Sequence, residues 1–290
     1  MLQADEPHGD RRRRRRQRRA VHQPCLPAEL LRAHRRRHDL DSRRAQNPAR
    51  RGAHLPLQHR RRGAHQVPLP SRLPDAAVRV FYLHGFASSP KSTKVAYFAE
   101  RFREHDVELR VPDFNQPDFS TLTLTRMLQQ LGAELAGGGP AALVGSSLGG
   151  TLAILAASAH ARLVDRLVLL APAVMFAKPG HHLLPPERIE EWRRRGALPF
   201  FHYADNAERE LRFTFYEDSL QYDPFNAPFH QPTLVFQGLR DASVDPRTVE
   251  AFAKTRPNVT LALLDDDHQL IASLPRMWTD IRAFLGVDDE

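Results

Sequence analysis

The residues best suited to chemistry are Gly145-Ser146-Ser147-Leu148-Gly149, which fit G-x-S-x-G. The apolar run Ala141 to Val144 precedes them, and small apolar residues from Gly150 to Ala157 follow. The first run reads as a buried strand and the second as a packed helix. A serine between such a strand and helix sits on a nucleophile elbow. The tip of so tight a turn has a strained backbone. Side chains two residues to either side would collide, so glycine stands at both places. Ser147 is expected to project above the sheet, at the positive end of the next helix. A hydroxyl placed there attacks an acyl carbon once a base removes its proton.

The base and its orienting acid are sought by chain order. After an elbow serine of this kind the acid comes first and the histidine second. A strand-like run, Thr233 to Gln237, leads into Gly238-Leu239-Arg240-Asp241, and Asp245-Pro246 follows shortly after. Asp241 follows a strand end and a glycine, where loop amides can fix a carboxylate. Asp245 is the rival acid, but it precedes Pro246 and reads better as a helix cap. The last strand, Val259 to Leu264, leads into Asp265-Asp266-Asp267-His268. His268 is the expected base, ahead of His202 and His230, because of its strand position and chain order. The imidazole takes the serine proton and returns it to the leaving group, and the carboxylate fixes the tautomer. Asp265 to Asp267 read as a solvated acidic turn that helps raise the basicity of the histidine. The developing oxyanion needs two backbone N–H groups. Leu148 supplies one by position, and Phe86 of His84-Gly85-Phe86 is the candidate for the other. His84 reads as structural. No metal ligand set is expected.

These residues need a scaffold. Val78 to Leu83, Val107 to Val111, the elbow strand, Arg166 to Leu170, Thr233 to Gln237 and Val259 to Leu264 read as strands. Ser92 to His105, Leu122 to Leu135, Pro246 to Thr255 and Gln269 to Leu285 read as helices between and after them. Apolar strands alternating with helices imply a parallel sheet covered on both faces. Active sites of such sheets lie at the carboxyl ends of the strands. Every candidate above falls at such an end. The expected fold is α/β: a mostly parallel, doubly wound sheet of about six core strands. Residues 174–231 interrupt the alternation with a charged helix, Pro186 to Arg195, and many aromatics. An insert of this length is structured or functional. It is expected to form a helical lid whose aromatics either wall an acyl pocket or make the lid's own core.

Charge divides the chain in two. Residues 1–75 hold 20 arginines, no lysine and 7 acidic residues, a net of +13. Residues 76–290 carry a net of −5. The overall charge of +8 is thus a property of the tail, so nucleic acid is not an expected partner of the folded domain. The tail has almost no apolar periodicity and is expected to be disordered. Three readings of it stay open: a nucleic-acid-binding arm, an inert tail, or a start codon assigned too far upstream. No apolar stretch follows Met1, so a secretory signal is not expected, and serine is scarce for a transit peptide. Cys25 is the single cysteine, which excludes a disulfide within one chain and fits a cytoplasmic protein. No run is long and apolar enough for a membrane helix. Residues 76–290 are expected to form one domain.

The text YLHGFASSPKSTK at 82–94, LVGSSLGG at 143–150, GLRDASVDP at 238–246 and DDHQL at 266–270 resembles the α/β-hydrolases. It is most similar to the small bacterial esterases of the YqiA type. The resemblance implies a serine hydrolase acting on carboxylic esters or acyl thioesters, without metal or organic cofactor. It carries Ser147, Asp241 and His268 to the catalytic positions. The arginine-rich tail has no counterpart in that family. Two other functions stay in view: a catalytically silent hydrolase-fold scaffold, and a nucleic-acid-associated protein using the tail. Acyl preference and oligomeric state are left open. A chain starting near Pro74 is expected to fold cooperatively and cleave esters as well as the full chain. Loss of folding or activity on truncation would refute this, and salt-sensitive DNA binding lost on truncation would favour the arm.

Overall fold

The structure is a computed structural model that describes residues 79–287 apart from 177, 179, 180, 182 and 183. The expectations for residues 1–75, Cys25 included, lie outside the described residues, as does Val78.

Strand β1 (Arg79–Leu83) starts the described chain, followed by α1 (Thr93–Arg103) and β2 (Leu109–Arg110). A 3₁₀ turn (Phe119–Thr121) leads to α2 (Leu124–Ala136), β3 (Ala141–Ser146), α3 (Leu148–Ala159) and β4 (Val164–Leu170). The insert contains α4 (Pro186–Arg195), β5 (Ala197–His202), β6 (Ala207–Arg212) and α5 (Thr214–Ser219). Then come β7 (Thr233–Gly238), α6 (Pro246–Lys254), β8 (Val259–Leu264) and α7 (Leu274–Leu285). The main sheet runs β2-β1-β3-β4-β7-β8, and every pair in it is parallel.

Strand alternation explains why both faces are covered. Phe81, Leu83, Leu143, Leu167, Leu169 and Val235 join one core with α2, α3, α6 and much of the insert. Val80, Tyr82, Val144, Val168, Leu170 and Phe236 join a second core with α1 and α7. The chain leaves β1 for β2 on one side and returns to β3 on the other. That reversal opens a crevice at the carboxyl ends of β1 and β3. His84-Gly85-Phe86 follows the first of these strands and Ser147 the second.

Three expectations are corrected. The second strand shrinks from Val107–Val111 to Leu109–Arg110, an edge pair cut off before Pro112. The last helix begins at Leu274, not Gln269, because buried Leu270 has φ 55° and breaks helical geometry. The insert is not purely helical: β5 and β6 form an antiparallel hairpin. Pro199 lies in β5, and β6 is charged and mostly exposed, so neither shows clean alternation. The charged helix Pro186–Arg195 lies where the sequence places it.

Gly149 lets α3 seat on the sheet. A Cβ there would overlap the Leu83 carbonyl oxygen and press on that of His84. Gly149→Ala is expected to cost about 3 kcal/mol, the upper end of ordinary overpacking. Urea unfolding would show it as a lower midpoint at unchanged slope.

Candidate functional site

The turn between β3 and α3 holds Ser147 at φ 53°, ψ −114°. A residue so placed costs about 1–3 kcal/mol unless its surroundings impose the conformation. Here they do. The Ser147 N–H donates to the Leu170 carbonyl at 2.9 Å. Its own carbonyl accepts from Gly150, Thr151 and Ala173 at 2.9, 3.3 and 3.1 Å. Gly145 is needed beneath, since a Cβ there would run into the Gly149 carbonyl. The strain is therefore borne by backbone, and the Ser147 side chain caps nothing.

Ser147 Oγ lies 3.2 Å from His268 Nε2, and His268 Nδ1 lies 2.8 Å from Asp241 Oδ2. Asp241 Oδ1 accepts from the Ser243 and Val244 N–H groups, each at 2.8 Å. Its Oδ2 also accepts from Gln237 Nε2 at 2.9 Å. Burial pushes the Asp241 carboxyl up. The His268 hydrogen bond and charge, with the Val244 and Ser243 N–H groups, outweigh that and hold it below the usual Asp range. The carboxylate thus supports folding above the ordinary Asp range, and this support fades as pH falls through the lowered value. An ionised Asp241 accepts the Nδ1 proton and leaves Nε2 free to accept from the serine hydroxyl. Such a chain can draw a proton off Ser147 without moving a heavy atom.

The rivals go elsewhere. Asp245 caps α6, its Oδ1 accepting from the Arg247 N–H at 2.9 Å. His202 is buried at the end of β5, edge-on to Phe119 with ring centroids 4.9 Å apart. The His230 N–H donates to Gln231 Oε1 at 3.1 Å. The acidic turn before His268 also differs from its expected solvated form. Asp266 is buried, its Oδ2 accepting from Ser273 N and Oγ at 2.9 and 2.7 Å, its Oδ1 from Asp267 N at 2.8 Å. It closes the turn that carries His268. Asp265 and Asp267 are exposed, Asp265 pairing with Arg240. The acid and histidine loops also abut, since the Arg240 N–H donates to the Asp266 carbonyl at 2.9 Å.

Phe86 and Leu148 flank the serine. Leu148 opens α3, where an N–H has no intrahelical acceptor. The Phe86 loop is packed against the elbow: a Cβ on Gly85 would lie 3.3 Å from Ser146 O and 3.4 Å from Ser147 Cβ. His84 Nε2 accepts from the Phe114 N–H at 3.1 Å, so Nδ1 carries the proton and donates to the Gly85 carbonyl at 3.0 Å. Its structural reading agrees with this geometry. The Tyr203 N–H ties the insert to the same loop through the Ala87 carbonyl at 2.9 Å.

Two groups stand out among the insert's aromatics. The Phe86 ring meets Phe119, Phe200 and Phe215 with centroids 5.8, 5.4 and 5.5 Å apart, and Trp192 packs behind Phe200. Phe225 and Phe229 point away from this group and pack with Phe252 of α6, against the Arg256 guanidinium. Of the two expectations for these aromatics, packing within the insert accounts for Trp192, Phe213 and Tyr216, while Phe200 and Phe215 pack against Phe86 beside the serine.

Residues 79–286 match the model of a family described as an uncharacterised protein family (UPF0227). The chain belongs to this family. The resemblance in its motifs to YqiA-type esterases stands with that match. No curated protein matches the chain in sequence. Among solved structures, a candidate hydrolase from Agrobacterium vitis is 23% identical, with TM-score 0.65, over 74% of this chain and 90% of its own. Est1E from Butyrivibrio proteoclasticus, solved with ferulic acid, is 21% identical, with TM-score 0.63, over 75% and 91%. Mouse alpha/beta hydrolase domain-containing protein 10 is 21% identical, with TM-score 0.60, over 71% and 89%. These likenesses establish the α/β-hydrolase fold.

Sequence reasoning missed Gln237 and the buried role of Asp266. The signal for Gln237 was a polar residue ending the apolar strand Thr233 to Phe236. Among the described residues, no cluster of three or more His, Cys, Asp or Glu is placed to hold a metal ion. No helix among them is long and apolar enough to cross a membrane. Asp266→Ala leaves the Ser273 and Asp267 donors without their acceptor. It is expected to cost about 1–3 kcal/mol. Hydrogen exchange should show faster opening of residues 266–273 than of α7.

Proposed function

We propose that the chain is a serine hydrolase that cleaves carboxylic esters or acyl thioesters through an acyl-enzyme. The observation that carries this reading is the unbroken run from Ser147 Oγ through His268 to the buried Asp241 carboxylate. The family match and the hydrolase fold support it.

The reaction follows from the geometry. Ser147 Oγ attacks the acyl carbon while its proton passes to His268 Nε2. Asp241, held by Gln237 and two loop amides, stabilises the imidazolium and keeps its orientation. The Phe86 and Leu148 N–H groups receive the oxyanion. His268 then protonates the leaving alcohol or thiol as its bond to the acyl carbon breaks, the oxyanion returns to a carbonyl, and the acyl group stays on Ser147 Oγ. Water attacks that acyl group in the second half, giving its proton to His268, which passes it to Ser147 Oγ as the acyl–oxygen bond breaks and the acid leaves. The protons circulate among these groups, so the chemistry calls on no organic cofactor. The rings of Phe86, Phe119, Phe200 and Phe215 offer an apolar side for the acyl group.

Labelling with a fluorophosphonate, followed by peptide mapping, is expected to place the adduct on Ser147. Ser147→Ala and His268→Ala should each abolish nearly all cleavage of an ester and thioester panel, because the group acts as a unit. Asp241→Asn should lower turnover by up to ~10⁴-fold with little change in substrate affinity. Asp245→Asn should cost little turnover. A label on Ser146, or loss of turnover in Asp245→Asn but not in Asp241→Asn, would reject the assignment. A folded chain that neither labels nor cleaves any member of the panel would reject the function.

A further inference from the structure

Lys94 stands where helix electrostatics disfavour it. It is the second residue of α1, just inside the Ser92 cap, at the positive end of the helix dipole. Its Nζ donates to the Gln269 carbonyl at 3.1 Å, across 175 residues of sequence. Gln269 directly follows His268.

The ionisable groups facing Lys94 come from two loops. Asp241 lies on the loop between β7 and α6, and Asp266 and Asp267 on the turn between β8 and α7. His268 sits between these carboxylates. On α7, which packs against α1, Arg276 and Asp280 bond each other at 3.1 Å. Burial pulls the Lys94 ammonium down, more than the three carboxylates hold it up, to about 8. A partly desolvated cation at a helix N-terminus is poor design for stability alone.

The turn needs such a clamp. It contains Leu270 at φ 55°, a conformation that holds only when its surroundings impose it. Asp266 ties the turn to Ser273 at its far end. Lys94 grips the near end, one residue after the imidazole. Its charge also offsets the repulsion among the carboxylates gathered there.

We propose that Lys94 is a positioning residue for His268: its ammonium holds the Gln269 carbonyl and so fixes the turn that aims Nε2 at Ser147. The role rests on the hydrolase reading above. Lys94 touches no reacting atom.

The test uses the full chain, a fluorophosphonate probe, an ester substrate and two variants. Lys94→Met keeps the apolar stem and removes charge and donors, and Lys94→Arg keeps both. The Met variant is expected to label and turn over about 10- to 100-fold more slowly, with substrate affinity unmoved, as for a small misplacement of a reacting group. Its melting temperature should move little, because the lost Gln269 contact is offset by removing a cation opposed to the helix dipole. The Arg variant should recover most of the rate. The wild-type rate should decline as pH rises through about 8, while the Arg variant holds its plateau further. A Met variant that labels at the wild-type rate, or whose slow rate merely tracks a lower melting temperature, overturns the proposal. So does an Arg variant no faster than Met. A wild-type chain that fails to label overturns the hydrolase reading and this role with it, whereas normal wild-type labelling with an unaffected Met variant overturns this role alone.

Discussion

Everything at the site depends on how closely one helix lies against one strand. The backbone of α3 at Gly149 rests on the carbonyl end of β1, with no room for a side chain. That contact sets the height of Ser147 above the sheet. It also brings the loop after β1 beside the loop after β3. The strained serine backbone is a consequence of this seating, and four hydrogen bonds around it keep it in place. Strain of this kind persists only where packing leaves no alternative.

Charge is organised around the same point. The site brings together a buried Asp241, a buried Asp266 and an exposed Asp267, with one imidazole among them. Each carboxylate accepts from backbone N–H groups or neighbouring side chains, so none is buried without donors. Buried carboxylates that are well supplied with donors hold geometry. Gln237 shows the same principle within a strand: its amide nitrogen serves Asp241 alongside the His268 ring.

Much of this was legible in the sequence, for physical reasons. G-x-S-x-G is visible because the glycines are sterically compulsory, and compulsory residues leave a pattern. Strand ends were visible because parallel strands buried on both faces are continuous apolar runs. Ser147, Asp241 and His268 sit at such ends, and the structure places them within hydrogen-bonding reach of one another. The hairpin of β5 and β6 was hidden, because its second strand is charged and mostly exposed and lacks apolar alternation. The late start of α7 was hidden as well. Residues 269–273 have helix-compatible chemistry, yet Leu270 is held at φ 55° by the turn before it. The burial of Asp266 depended on Ser273, a local partner that nothing in a run of three aspartates announces.

The insert and the sheet divide labour in a way that bears on how such proteins diversify. Ser147, His268 and Asp241 are held by loops at the ends of β3, β7 and β8, with Gln237 on β7 itself. Phe200, Phe215 and Trp192 reach the same neighbourhood only through rings packed around Phe86. Rings can be exchanged for others of similar volume at modest cost, whereas the donors around Asp241 cannot. Under the proposed function, selection can therefore reshape the insert for new acyl groups while Ser147, His268 and Asp241 stay fixed. The two kinds of change fall on separate stretches of the chain, so a lineage can drift in what it accepts without first losing what it does.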